Sequence, residues 1–280
     1  MSTLSFVKLH GTANDFIYVD AREGFPGDPA ELAPRLCDRR RGIGADGLIL
    51  VRPPSNRDAD CRMVIYNADG SRAEMCGNGI RGLAKFVHDR RLVRASPLRV
   101  ETDTGVKTVH AEVANGRVAR VTVDMGAPVW EGRAIPVVAD GEVVEQPLEV
   151  GARTYRVTCL SMGNPHCVVF VDDVDTLSLA ELGPRFEHHP FFPRRVNTEF
   201  VRVEGRERLV MRVWERGAGE TMACGTGACA VAVAAARTGR ADRRAVVALP
   251  GGELEIDWRD DDRVLMTGDA VDVYEGRIEV

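Results

Sequence analysis

Apolar residues recur along the chain in short runs broken by Gly, Pro, Asn and Asp. Runs of roughly four to eight residues, rich in Val, Ile and aromatics and bounded by turn formers, read as β-strands. They predict strands over 16–19, 48–51, 62–66, 98–102, 117–124, 167–171, 198–203, 209–214, 246–249, 253–257 and 263–267. Helical stretches are fewer, at 30–40, 79–90 and 227–237. The last two each start directly after a Cys-Gly-x-Gly motif. From Ala228 to Ala236 nearly every residue is small and apolar, so that helix is expected to be buried on all sides.

The order of elements repeats. RMVIYNADGSRAEMCGNG (62–79) aligns with LVMRVWERGAGETMACGTG (209–227). Each has an apolar strand ending in an aromatic, Tyr66 or Trp214. A polar residue follows, Asn67 or Glu215, then a glycine-containing turn, Cys-Gly-x-Gly and a helix. Cys76 and Cys224 stand 148 positions apart. Upstream, HGTANDFIYV (10–19) resembles MGNPHCVVFV (162–171), which sets Asn14 and Asn164 150 positions apart. Two ordered landmarks at nearly one offset predict an internally duplicated chain of two similar halves, with mixed α+β content. The first half is expected over 1–124, with 269–280 a candidate for returning to it, and the second over 125–268. A site is expected in the cleft between the halves, where pockets of two-domain proteins tend to fall.

Composition narrows the classes. With 280 residues, 44% hydrophobic and 28% charged, the chain suits one large or two ordinary globular domains. A net charge of −5 and a pI near 5.8 argue against nucleic acid, whose binders carry a basic footprint. Short Arg clusters such as Arg39-Arg40-Arg41 read as solvated surface. No run reaches the roughly 18 apolar residues of a membrane span, and residues 1–10 lack the layout of a signal peptide. A cytoplasmic location with reduced thiols is therefore expected. The seven cysteines are odd in number and show no C-x-x-C spacing, so neither a disulfide framework nor a zinc ribbon is indicated. No metal site is expected, His188-His189-Pro190 reads as a loop, and GIGADG (42–47) lacks dinucleotide-loop spacing.

The chemistry therefore falls to thiols. A cysteine before Gly-x-Gly at a helix start sits among free amides at the positive end of the helix dipole. Its pKa is expected to fall from about 8.5 toward neutrality, while the amides can hold a carboxylate. A lone cysteine reads as a small buried hydrophobe, and Cys37, Cys61, Cys159, Cys167 and Cys229 take that reading. Two in related positions of duplicated halves suit stereoinversion, in which a base takes a proton from one face and an acid returns one to the other. Without cofactor or metal, the carbanion would rely on preorganised dipoles. The polar candidates are more ambiguous. Asn14, Asn164 and Asn197 read equally well as turn formers, Glu215-Arg216 as a surface pair, and His166 as a structural histidine.

HGTANDF (10–16), NADGS (67–71), MCGNG (75–79), SMGNPHCV (161–168), Val196-Asn197, ERGAGET (215–221) and ACGTGA (223–228) resemble the signature segments of the diaminopimelate epimerase family. LPGG (249–252), MTGDA (266–270) and Tyr274 extend the resemblance over essentially the whole chain. It implies a strongly bent mixed sheet around a central helix in each half. It also implies cofactor-independent interconversion of L,L- and meso-diaminopimelate, feeding lysine and peptidoglycan precursor synthesis. Cys76 and Cys224 would be the catalytic thiols, supported by His166 and Glu215. Amides of Gly77, Asn78, Gly225 and Thr226 would hold the reacting carboxylate. Asn14, Asn67, Asn164, Asn197, Glu215 and Arg216 would bind the remaining polar groups. A homodimer with Tyr274 at its interface is also implied. Two departures stand out: Ala13 replaces the more usual glycine before Asn14, and Gly47 stands where some members carry a substrate-contacting Gln. Three other readings remain open from the residues: a proline or hydroxyproline racemase, a redox-sensing thiol protein, and a non-catalytic amino-acid binding module.

Overall fold

Both Cys-Gly-x-Gly motifs turn the chain from a strand into a helix buried by the strands of its own half. A computed structural model describes residues 2–280, and the chain divides into two units. One runs to Asp124 and takes back Thr267–Val280; the other is Met125–Met266.

The first unit contains β1 (Thr3–Gly11), β2 (Asn14–Asp20), α1 (Pro29–Cys37), β3 (Gly47–Arg52), β4 (Cys61–Asn67), β5 (Arg72–Ala73), α2 (Gly77–Asp89), β6 (Leu98–Thr102), β7 (Gly105–Ala114) and β8 (Arg117–Asp124). The second contains β9 (Val143–Val150), β10 (Arg153–Ser161), β11 (Pro165–Phe170), α3 (Leu179–Glu187), β12 (Asn197–Gly205), β13 (Arg208–Glu215), β14 (Gly219–Thr221), α4 (Gly225–Arg237), β15 (Arg244–Leu249) and β16 (Gly252–Trp258). Through β17 (Val264–Asp269) the chain returns to the first unit, where β18 (Val271–Glu279) pairs antiparallel with β1 from Thr3↔Glu279 onward. The two chain ends lie side by side, Ser2 and Val280 exchanging backbone hydrogen bonds of 3.0 and 2.9 Å.

Strand pairing reproduces the duplication. In the first unit β1–β2, β3–β4, β4–β5 and β6–β7 are antiparallel, while β2–β3 and β4–β6 are parallel. The second unit repeats each relation with β10–β11, β12–β13, β13–β14 and β15–β16 antiparallel, and β11–β12 and β13–β15 parallel. α2 packs against β1, β2, β3, β7 and β8; α4 packs against β10–β13, β15 and β16. Ala228 to Ala235 of α4 are buried without exception, as the all-apolar run predicts. In α2 the close fit comes from Gly82, where an added Cβ would stand 2.1 Å from the Tyr18 hydroxyl. Separate cores flank the two helices, one around Ile17, Leu36, Leu48 and Leu50, the other around Val157, Val169, Phe186 and Phe200. Each such buried aliphatic or aromatic side chain contributes about 1.5–3 kcal/mol. Among the described residues no helix is long and apolar enough to cross a membrane.

Several elements differ from their expected bounds. Both central helices start two residues early, at Gly77 and Gly225, which makes the cysteines their N-caps. α3 was not expected because Gly183-Pro184 breaks its pattern; the glycine is demanded by packing, since a Cβ there would meet the Trp214 ring at 2.2 Å. Pro184 sits inside the helix, where its missing N–H and ring are normally disfavoured. β7 and β18 lack an apolar run because most of their residues are exposed or half-exposed.

Gly11 pairs with Asn14 across a two-residue hairpin turn, and both central residues are left-handed, Thr12 at φ 50° and Ala13 at φ 61°. Two positive φ values match the twist of antiparallel strands and favour Asn or Gly. Ala13 is exposed, so its methyl adds strain with little packing in return. A left-handed non-glycine residue costs about 1–2 kcal/mol, against about 0.4–1 kcal/mol for the extra unfolded freedom of glycine. Ala13→Gly is expected to raise stability by about 0.5–1 kcal/mol on this balance. A lowered thermal midpoint in calorimetry would refute the strain at this turn.

Candidate active site

Cys76 enters α2 with extended backbone, φ −141° and ψ 119°, and its sulfur accepts the Gly79 N–H at 3.3 Å. This is the sulfur counterpart of a Ser or Asp N-cap. The thiol also approaches Asn14 Oδ1 at 3.6 Å. The same oxygen accepts from Asn78 Nδ2 at 3.3 Å, while Asn14 Nδ2 donates to Asp46 at 2.8 Å. Asn78 Oδ1 in turn accepts from Arg81 Nη1 at 3.0 Å. A carboxylate only accepts and a guanidinium only donates, so the two ends of this chain fix both amides. The oxygen of Asn14 is thereby turned toward the thiol.

Arg81 is the largest fully buried side chain of the protein. Besides Asn78 it donates to the Gly77 carbonyl (3.4 Å), Thr12 Oγ1 (3.2 Å) and the Asp269 carbonyl (3.1 Å). It thus ties the strained Thr12-Ala13 turn and the end of β17 to the first turn of α2. At the outer end, Asp46 shares Arg39 with Asp15 at 2.7 Å each, and Lys8 adds a second cation 2.8 Å from Asp15. Burial alone would raise the Asp15 pKa, but Arg39 and Lys8 outweigh it and hold the carboxyl far below its usual range. Asn67 ends β4 exposed and donates to Ser71 Oγ at 2.9 Å. Opposite it, Gly47 has no room for a side chain: a Cβ would stand 2.7 Å from the Tyr66 carbonyl and 2.9 Å from the Phe16 ring. A glutamine at this position is therefore barred by this backbone.

In the second unit Cys224 caps α4 with similar backbone, φ −126° and ψ 109°, but its sulfur makes no capping hydrogen bond. It lies 3.5 Å from Thr226 Oγ1. Gly225 is the buried first residue of the helix. On β11, His166 is fully buried, with Nδ1 2.7 Å from Glu199 and Nε2 2.9 Å from Asn164 Oδ1. Glu215 ends β13, and the Thr221 hydroxyl donates to it. Here the expectation of a lowered thiol pKa fails. Burial first, then the carboxylates of Glu215 and Glu199, raise Cys224 well above the ordinary thiol range; the nearby Thr226 hydroxyl and Gly227 amide only partly oppose this. Glu215 is itself raised, chiefly by burial. The helix dipole is a matter of tenths of a kcal/mol to about 2 kcal/mol, too little to offset a dry site with two acidic neighbours.

Two expected substrate-binding residues also hydrogen-bond to backbone. Asn197 is buried, donating to the Pro165 carbonyl at 3.1 Å and accepting the Arg216 N–H at 2.8 Å. The Arg216 side chain is exposed and donates to the Arg194 carbonyl at 3.3 Å. The turn carrying Glu215 and Arg216 is fixed by Glu187 of α3, which accepts from Gly217 N (2.9 Å) and the Trp214 indole (2.7 Å). Although burial pushes Glu187 up, these donors and the cations around it bring it below its usual range. Sequence reasoning missed Arg81, Glu187 and Glu199. A signal existed for Glu199: strand period two puts it on the same face as Asn197. For Arg81 there was none, since Asn78, Lys85 and His88 share its helix face and the stripe reads as solvated. Among the described residues no group of three His, Cys, Asp or Glu side chains is arranged to hold a metal ion.

The family model described as diaminopimelate epimerase matches residues 6–131 and 158–273. The diaminopimelate epimerase of Moorella thermoacetica is 54% identical over 276 residues, covering 98% of both chains. That of a Synechocystis strain is 54% identical over 282 residues, covering 99% of both. Among solved structures, a phenazine biosynthesis protein of the PhzF family from Bacillus anthracis has a TM-score of 0.71 at 16% identity, with both chains fully covered. A probable proline racemase from Agrobacterium radiobacter has a TM-score of 0.71 at 15% identity, covering 99% of this chain and 92% of its own. At such identities the two structures share the fold alone.

Cys76 is half-buried whereas the other six cysteines are buried. Burial, with nearby carboxylates, pushes Cys37 and Cys61 up to about 12, and burial together with a hydrogen bond to Cys159 drives Cys167 well above the ordinary thiol range. Limited iodoacetamide at pH near 8 is therefore expected to alkylate Cys76 first, leaving Cys37, Cys61, Cys159, Cys167 and Cys229 unmodified until unfolding. Peptide mapping that found any of those five modified ahead of Cys76 would contradict the assignment.

Proposed function

Because the chain belongs to the diaminopimelate epimerase family, we propose that it interconverts L,L- and meso-diaminopimelate with Cys76 and Cys224 as its acid–base pair. The observation that carries the assignment is the repeated cap. Each thiol terminates the same strand–turn unit and starts a helix of 13 residues, with bare amides around it, in two units of otherwise divergent sequence.

In the forward direction one cysteine, as thiolate, takes the Cα proton. The C–H electron pair stays on carbon and spreads into the adjacent carboxylate. The other cysteine, as thiol, delivers its proton to the opposite face and becomes the thiolate. Atoms and charge balance within the pair, and the reverse reaction exchanges their roles. The amides of Gly77 and Asn78, and of Gly225 and Thr226, suit the carboxylate on which charge develops, since a helix N-terminus holds an anion in place before the reaction begins. His166 and Glu215 set the protonation of the Cys224 end, and Asn14 that of Cys76. Asn67 and Asn164 remain for the amino and distal groups; Asn197 acts by holding the backbone of Arg216. No cofactor enters this scheme. A cytoplasmic homodimer completes the reading, with β18 as the contact strand: Val271, Val273 and Tyr274 on it are 40, 50 and 43% exposed.

The alternative of a proline or hydroxyproline racemase shares the fold, but the full-length relatives at about half identity carry a different name. Those relatives and Arg216, which suits a second carboxylate, favour diaminopimelate.

Incubation with diaminopimelate in D2O is expected to place deuterium at one Cα and to interconvert the isomers. Cys76→Ala and Cys224→Ala should each abolish epimerisation with circular dichroism unchanged, a loss of at least about 10²–10⁴-fold for an acid–base group. Near-wild-type turnover by either variant would sink the two-thiol mechanism.

Arg216→Met is expected to lower kcat/KM for diaminopimelate by about 30-fold or more, the loss of a charge-assisted carboxylate contact costing roughly 2–5 kcal/mol. Thiol alkylation rates should stay at wild-type values. Unchanged efficiency would assign Arg216 to the surface and leave the distal carboxylate without a reader.

A further inference from the structure

Glu199 has no part in the scheme above, yet it occupies an unusual position. It lies on β12 two residues beyond Asn197 and is fully buried. Oε1 is 2.7 Å from His166 Nδ1, and the imidazole is equally buried. Oε2 is buried and makes no hydrogen bond. A Cβ added at Gly227 would stand 2.8 Å from Glu199 Oε1 and 3.2 Å from Cys224 Sγ, so carboxylate and thiol crowd one bare α-carbon. That crowding is why the third residue after the cysteine is glycine. A buried acceptor left unsatisfied costs about 1–3 kcal/mol, and more when charged. Folding alone would be better served by an apolar residue.

We propose that Glu199 is a positioning residue of the epimerisation: it holds His166 with the Nδ1 proton facing its carboxylate and, standing against the cap of α4, keeps Cys224 in the resting enzyme as the neutral, proton-donating thiol. The inference rests on the reading of Cys224 as an acid–base group.

The groups around Cys224 come from four elements. β12 supplies Glu199, β11 supplies His166, and β13 supplies Glu215, which the β14 hydroxyl of Thr221 engages. α4 itself supplies Thr226 and the Gly227 amide. The helix N-terminus favours thiolate; burial and the two carboxylates favour thiol, and they prevail. In the first unit Cys76 takes the Gly79 N–H on its sulfur and approaches Asn14 Oδ1, and its helix buries the cation Arg81. Two thiols built into the same cap are thus set among different polar neighbours. A reaction that needs one acid and one base at the start calls for that difference.

The test is alkylation by iodoacetamide as a function of pH, resolved by peptide for Cys76 and Cys224, in the substrate-free enzyme and in Glu199→Gln. Gln keeps the shape and removes the charge. A neighbouring charge typically moves a pKa by about 1–3 units. The Cys224 midpoint is expected to fall by about one unit or more while Cys76, in the other unit, keeps its own. Glu199→Asp should restore the wild-type Cys224 midpoint in large part. An unmoved Cys224 midpoint, with only a lower thermal midpoint, would reduce Glu199 to a packing residue. If Glu199→Gln fails to fold, the ¹⁵N resonances of His166 in the wild-type protein decide. The inference expects the proton on Nδ1, and an Nδ1 without its proton overturns it. Neither measurement involves turnover, so an active Cys224→Ala enzyme would overturn the functional reading separately.

Discussion

A cysteine that caps a helix must leave its sulfur among amide protons while the backbone passes from strand to helix. That single requirement dictates much of what surrounds it. The next residues must be small enough for another molecule to approach the amides, which is met by Gly77 and Gly79 in one unit and Gly225 and Gly227 in the other. The preceding chain must arrive extended, which is met by the short β5 and β14 hairpin returns. The helix must then be packed tightly enough that its first turn cannot fray, and strands of the same unit enclose it.

What the duplicated frame holds constant is geometry; what it lets vary is charge. Five residues after the cap the first unit has Arg81 and the second Cys229, both buried. The cation ties three chain segments together through hydrogen bonds to oxygen. In the second unit the corresponding order comes from acids: Glu199 on the imidazole, Glu187 on the Trp214–Gly217 turn, and Glu215 on Thr221. One half is cross-linked by a guanidinium and the other by carboxylates, although the strands beneath them pair in the same way.

The parts of this legible in the sequence were those carried by period and repetition. The two motif helices, the strands feeding them and the duplication follow from apolar spacing, and the pairing pattern agrees strand by strand. The placing of both Cys-Gly-x-Gly motifs at helix starts was legible for the same reason. Less legible were elements whose reason lies in tertiary contact. α3 carries Gly183-Pro184 because Trp214 occupies the space a side chain would need, and no local pattern announces that. Exposed strands such as β7 have no apolar face to reveal them. The direction of the Cys224 shift was misjudged because a motif shows the helix end but not the Glu199 and Glu215 carboxylates folded back against it. That Asn197 also holds backbone on both sides is something only hydrogen-bond geometry can show.

The return of Thr267–Val280 to the first unit has a consequence for the order in which the molecule is made. The second unit is one continuous stretch and has all its residues once Met266 has left the ribosome. The first unit begins earlier but cannot pair β1 with β18 until Val271–Glu279 has been made. During synthesis β1 therefore waits with one edge open, and an open strand edge is a template for pairing with other chains. Translation begins with the first unit, yet the second is the first to have its full set of strands.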